Sequence, residues 1–123
     1  MQHRAPVKVF IINNQYMGMI RQWQELLHGG RYSESYSSSL PDFVKLAEAF
    51  GARGLRATKP SELDSVIKEM IAIPGPVIVD IATDQSENCF PMIPSGAAHN
   101  EMILGLDDKK GASPISEEGM VLV

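Results

Sequence analysis

Apolar positions along the chain alternate between short β-type runs and helical stripes. Val7-Lys8-Val9-Phe10-Ile11-Ile12 is β-branched and almost continuously apolar, which predicts a central strand buried on both faces of a parallel sheet. Asn13 and Asn14 stand at its carboxyl end, where open α/β sheets bind ligands. Met19, Ile20, Trp23, Leu26 and Leu27 then recur at helical spacing, predicting a helix from about Met17 to His28 that Gly29-Gly30 stops. The serine-rich stretch from Arg31 to Leu40 favours side-chain to backbone bonding and reads as a loop.

Pro41 fits the first position of a second helix, with Phe43, Leu46, Ala47 and Phe50 on one face and Gly51 at its end. Ala52 to Ala57 predicts a short strand, placed near a sheet edge by its two arginines. Pro60 opens a third helix, whose buried stripe is Leu63, Val66, Ile67, Met70 and Ile71, and Pro74-Gly75 break it. Val77 to Ala82 is a second buried strand. The order is strand, two helices, strand, helix, strand. That is part of a wound α/β unit with a parallel sheet and right-handed crossovers. Residues 1–83 form the α/β part of one domain spanning 1–123, and residues 84–123 form an irregular loop and tail.

At 123 residues the chain has the size of one domain, and 44% hydrophobic residues allow a real core. A net charge of −4 argues against non-specific nucleic-acid binding. No apolar run approaches the ~20 residues of a membrane span, and the amino terminus has no signal-peptide pattern. The single cysteine, Cys89, excludes an internal disulfide framework and is consistent with a reducing cytoplasm. A buried strand starting so near Met1 suggests the carboxyl-terminal piece of a longer polypeptide.

Several chemistries are unsupported. The chain has no GxGxxG and no phosphate-binding P-loop. His3, His28, His99 and Cys89 lack zinc-ligand spacing, and no nucleophile elbow marks a hydrolase. Read plainly, Asn13-Asn14 is a turn, Trp23 is core, Ser95 is a turn residue and Cys89 is inert packing. On the same reading Asp80 hydrogen-bonds near its strand end, and Asp107 to Lys110 is a solvated loop. A helix N-terminus after the asparagines does, however, suit an anion such as a diphosphate.

The full strings change that balance. NNQYMGMIRQWQELLHGGRYSESY resembles the second half of the thiamine-diphosphate motif of the acetolactate synthase catalytic large subunit family. CFPMIPSGAAHNEM resembles that family's carboxyl-terminal active-site loop, and LPDFVKLAEAFG and GPVIVDIATD resemble segments between the two. The family motif opens with Gly-Asp-Gly and closes with Asn-Asn, and only the closing half is present. The departures are Tyr16, Arg21 and Ala97-Ala98-His99, which put the fine shape of the loop in question.

The resemblance implies the carboxyl part of a thiamine-diphosphate-binding domain. It implies that Asn14, by its side-chain oxygen, and Tyr16, by its carbonyl, hold Mg²⁺, while Gln15, Met17, Gly18 and Met19 line the cofactor. Mg²⁺ takes oxygen ligands at about 2.0–2.1 Å. It further implies that Trp23 shapes an acceptor pocket and that Ser95 and Gly96 belong to a loop over its entrance, where the family's herbicide inhibitors bind. No residue here is expected to be catalytic in its own right. FAD, the glutamate that activates the cofactor and the magnesium-anchoring aspartate belong to parts of the intact enzyme outside this chain.

The implied substrates are pyruvate and 2-ketobutyrate. The implied partners are the rest of the catalytic subunit, a second such subunit in a homodimer, and a regulatory small subunit. The implied location is the cytoplasm. Two other readings are a different thiamine-diphosphate-dependent carboligase or decarboxylase, and a non-catalytic α/β binding module.

Overall fold

The computed structural model describes residues 3 and 5–106. Asp107 to Lys110 and the tail beyond lie outside the described residues. The described chain folds into two compact units. The first holds the residues up to Tyr16 together with Ser37–Gln85, and the second holds Met17–Tyr36 together with the residues from Ser86 onward.

The first unit is a three-stranded parallel sheet with two helices. Its strands are β1 (Lys8–Asn13), β2 (Arg53–Ala57) and β3 (Val77–Ala82), in the order β1-β3-β2. The strand from Val7 was predicted to be central and buried. Instead β3 is central and β1 lies at an edge, with Val9, Phe10 and Ile12 exposed. The reason is topological: the crossover from β1 to β2 leaves a gap that β3 fills, so the last strand acquires both neighbours. Lys8 pairs with Val77 and Asn13 with Ala82, while Ala57 pairs with Ile81, so the three carboxyl ends lie level. β2 is an edge strand, as its arginines indicated.

The core comprises Leu55, Ala57, Val77, Val79 and Ile81, with Leu63, Val66, Met70 and Ile73 packed against it. Within the predicted third-helix stripe, Ile71 is exposed and Ile73, just past the helix, takes the inward place. Lys8 interrupts the apolar run of β1 because its ammonium donates to the carbonyls of Ile73 and Gly75 at the entry to β3.

Helix α2 spans Phe43–Ala49, two residues later than Pro41 suggested. Asp42 caps it, accepting from the Val44 and Lys45 amides, so Pro41 lies before the cap and not at the first helical position. Gly51, at φ +72°, ends it as expected. Helix α3 spans Pro60–Ala72 with Pro60 in its first turn, and the Glu62 carboxylate accepts from the Thr58 and Lys59 amides. A Cβ on Gly54 would stand 2.7 Å from Val44 Cα, so glycine is what lets α2 lie directly on β2.

The second unit is built on α1 (Gly18–Leu26), shorter than the predicted helix. Gly29 and Gly30 follow it at φ +64° and +70°. Residues 31–40 are irregular, as their serines indicated. Residues 86–106 are irregular apart from a short 3-10 turn at His99–Glu101, and are joined at Met92 and Ile103 by reciprocal backbone hydrogen bonds of 2.9 and 2.7 Å. Among the described residues no helix is long and apolar enough to cross a membrane.

Candidate functional site

In the first unit the site begins where β1 ends. Asparagine carries a carbonyl oxygen that reaches the amide two residues on, and two in succession make two such turns. The Gln15 amide donates to Asn13 Oδ1 at 3.1 Å, and the Tyr16 amide donates to Asn14 Oδ1 at 3.1 Å. The backbone at Gln15 consequently takes φ +61°, a left-handed conformation uncommon outside glycine. Two tethers hold it: the Ser37 amide donates to the Gln15 carbonyl at 2.8 Å, and the Gln85 amide group donates to Gln15 Oε1.

Behind this turn lies a charged line. Asn13 Nδ2 donates to Asp80 Oδ1 at 2.8 Å, and Arg56 Nε donates to Asp80 Oδ2 at 3.0 Å. Arg56 Nη2 also donates to Asp42 Oδ1 at 2.8 Å. The Asp80 hydrogen bond, with Asp42 adding to it, raises the Arg56 pKa above its ordinary value despite desolvation. Desolvation pushes the Asp42 carboxyl up. The Lys45 amide, the Arg56 guanidinium and the Val44 amide outweigh it and hold Asp42 below the usual carboxylate range.

In the second unit the Met17 amide donates to the Ser35 carbonyl at 2.8 Å and Gly18 starts α1, which has no side-chain cap. The first-turn amides therefore point out of the helix without intrahelical partners. Met17, Met19, Ile20 and Trp23 are exposed, and Trp23 keeps 42% of its surface. Trp23 is thus not core. The buried residues of α1 are Arg21 and Gln22, the reverse of what its apolar stripe suggests.

A polar docking explains the reversal. Arg21 pairs with Glu25 at 2.8 Å, donates to the Ser86 carbonyl and Asn88 Oδ1, and lies over the Tyr32 ring. Gln22 holds the backbone of Cys89. Cys89 itself is exposed, not packed. Further along, Pro94 is buried, its carbonyl accepts from the Ala97 amide at 3.0 Å, and Gly96 takes φ +81°. Ser95 is exposed at this turn.

The structure thus gathers Asn14, Gln15 and Tyr16 in the first unit. Met17, Gly18, Met19 and Trp23 share the start of α1 in the second, and Ser95 and Gly96 share a turn there. Sequence reasoning missed Arg21, Gln22, Arg56 and the partnership of Asp80 with Asn13. The available signal was a charged residue inside each apolar pattern, Arg56 in β2 and Asp80 in β3.

Asn14 Oδ1 uses one lone pair on Tyr16 and keeps a second, and the Tyr16 carbonyl is another hard oxygen, so both fit Mg²⁺ as partial ligands. Among the described residues no group of three or more His, Cys, Asp or Glu side chains could hold a metal ion. The anionic oxygens that Mg²⁺ prefers are not gathered there.

Residues 1–81 match the family described as thiamine pyrophosphate enzyme, C-terminal TPP binding domain. The acetolactate synthase large subunit of Haemophilus influenzae is 45% identical over 104 residues, covering 84% of this chain and 18% of that protein. The acetolactate synthase isozyme 3 large subunit of Escherichia coli is 41% identical over 112 residues, covering 89% and 20%. The chain therefore spans about a fifth of the length of these curated relatives. Among solved structures, the thiamine diphosphate-dependent 4-hydroxybenzoylformate decarboxylase of Rhodococcus jostii RHA1 is 28% identical. It superposes with a TM-score of 0.61 over 69% of this chain and 16% of that one.

Proposed function

The chain belongs to the thiamine pyrophosphate enzyme family, as its C-terminal TPP-binding domain, and from that premise we propose that it is the carboxyl-terminal part of an acetolactate synthase catalytic subunit. The intact cytoplasmic enzyme condenses two pyruvates, or pyruvate with 2-ketobutyrate, with loss of CO2. The observation that carries this is the pair of asparagine turns beyond β1, which present a free lone pair of Asn14 Oδ1 in the matched region.

Asn14 Oδ1 and the Tyr16 carbonyl would hold Mg²⁺. Gln15, Met17, Gly18 and Met19 would line the cofactor, with Gly18 permitting close backbone approach. When bound, thiamine diphosphate supplies the carbanion chemistry that decarboxylates a 2-keto acid, and Mg²⁺ offsets the charge of its diphosphate. This chain's residues bind and orient. The α1 first-turn amides favour a negative group, the Trp23 indole forms a flat wall for the acceptor, and Ser95 and Gly96 help exclude water from the entrance.

FAD, the missing carboxylate ligand, the second catalytic subunit and a regulatory small subunit come from outside these residues. The 123-residue chain alone is accordingly expected to make no acetolactate.

The solved decarboxylase supports a second reading, a thiamine-diphosphate-dependent decarboxylase. The product separates the two: the intact subunit, given pyruvate, Mg²⁺, thiamine diphosphate and FAD, should form 2-acetolactate, whereas acetaldehyde as sole product would overturn the synthase reading. Asn14→Ala in the same subunit should weaken thiamine diphosphate by more than about tenfold, since a hydrogen bond or ligand contact to a charged group is worth about 1.5–3 kcal/mol. An unchanged titration would remove Asn14 from the site.

A further inference from the structure

Asp80 is a carboxylate on the central strand, 6% exposed, between Val79 and Ile81 of the core. Such a group is tolerated only when its oxygens are paired. Oδ2 takes Arg56 from β2, and Oδ1 takes Asn13 from β1. In register Asp80 lies opposite Ile11, so the bond to Asn13 is diagonal, two residues further toward the carboxyl end of β1.

That bond decides more than the position of one side chain. The Asn13 amide has two ends. With Nδ2 committed to Asp80, Oδ1 faces the Gln15 amide and accepts from it at 3.1 Å. If the amide turned over, oxygen would meet the Asp80 carboxylate and nitrogen would meet the Gln15 N–H, and both bonds would be lost. The left-handed Gln15, which costs backbone energy, depends on the first arrangement.

We propose that Asp80 is a positioning residue for the cofactor turn: by fixing the Asn13 amide it sets the left-handed Gln15 that presents Asn14 Oδ1 and the Tyr16 carbonyl. Arg56 steadies Asp80 from the opposite side and is itself held by Asp42, the cap of α2. The line runs Asp42, Arg56, Asp80, Asn13, Gln15. It rests on the reading, given above, that Asn14 and Tyr16 face Mg²⁺.

The test is a cycle of Asn13→Ala, Asp80→Ala and the double variant in the complete subunit. Thiamine diphosphate is titrated at fixed Mg²⁺ by calorimetry, with Asn14→Ala as reference. Each single variant should raise Kd about tenfold, and the double variant should be no worse than the weaker-binding single, because both cut one line. Additive losses, or an unchanged Kd in Asp80→Ala, overturn the proposal.

Asp80→Leu keeps the size of the side chain, leaves no acceptor for Asn13 Nδ2, and covers the case in which Asp80→Ala fails to fold. In cofactor-free protein it should speed hydrogen exchange at the Gln15 amide about tenfold and leave Val79 unchanged. Equal acceleration at both would show a merely structural role and overturn the proposal. Weak binding by Asn14→Ala beside normal binding by Asp80→Ala defeats this inference alone. Normal binding by Asn14→Ala defeats the site reading and this inference with it.

Discussion

Gln22 grips the peptide of Cys89 from both sides. Its Nε2 donates to the Cys89 carbonyl at 3.0 Å, and its Oε1 accepts from the Cys89 amide at 2.7 Å. The side chain is 2% exposed, so an irregular segment is fastened to α1 by an amide that imitates a strand neighbour. Replacing it leaves a buried donor and acceptor unpaired, at about 1–3 kcal/mol. Gln22→Leu should lower stability in urea by that amount and speed exchange of the Cys89 amide. Wild-type exchange at Cys89 would show that the clamp is dispensable.

Gly54 should tolerate nothing larger. An added methyl would lie 2.7 Å from both Cα and carbonyl oxygen of Val44, which are backbone atoms and cannot rotate away. Gly54→Ala should cost about 1–3 kcal/mol by forcing α2 off β2. A melting temperature equal to wild type would contradict the close approach.

Trp23 is exposed on a helix whose buried side is polar, so its loss should leave the fold intact. If it walls the acceptor pocket, discrimination between pyruvate and 2-ketobutyrate changes, since one methylene is worth about 1–3 kcal/mol. Trp23→Leu in the intact enzyme should weaken the preference for 2-ketobutyrate and reduce inhibition by the family's herbicides. Product ratio and inhibition both at wild-type levels would exclude that role.

Acid should loosen the starts of α2 and α3. The Thr58 amide, followed by Lys59 against some desolvation, lowers the Glu62 pKa, and Asp42 is lowered as described. A depressed native pKa means that the unfolded state binds the proton more readily. The stabilisation is therefore fully present above the ordinary carboxylate range and is lost as pH falls through it to the native values. Glu62→Gln removes one titration, so urea stability measured from neutral to acid pH should fall less steeply than in wild type. Identical slopes would remove Glu62 from the acid response.

Whereas α1 stops at Leu26, before the Gly29-Gly30 pair expected to end it, the order of elements, the helix end at Gly51, the start at Pro60 and the asparagine turn were legible in the sequence. Each is set by residues within a few positions of one another, through backbone preference or a short side-chain reach. The kinship was equally legible, because whole motifs survive as strings.

Tertiary structure alone decided which strand is central. Val7 to Ile12 and Val77 to Ala82 are equally apolar, and only the order in which crossovers fill the sheet separates them. It decided that α1 buries Arg21 and Gln22, because a backbone segment about 65 residues away offers carbonyl and amide partners that an apolar stripe cannot use. It decided that Asp80 serves Asn13, a bond spanning 67 residues. Pattern along a chain reports local preference and apolar content, whereas the pairing of distant polar groups depends on where the folded backbone has already placed them.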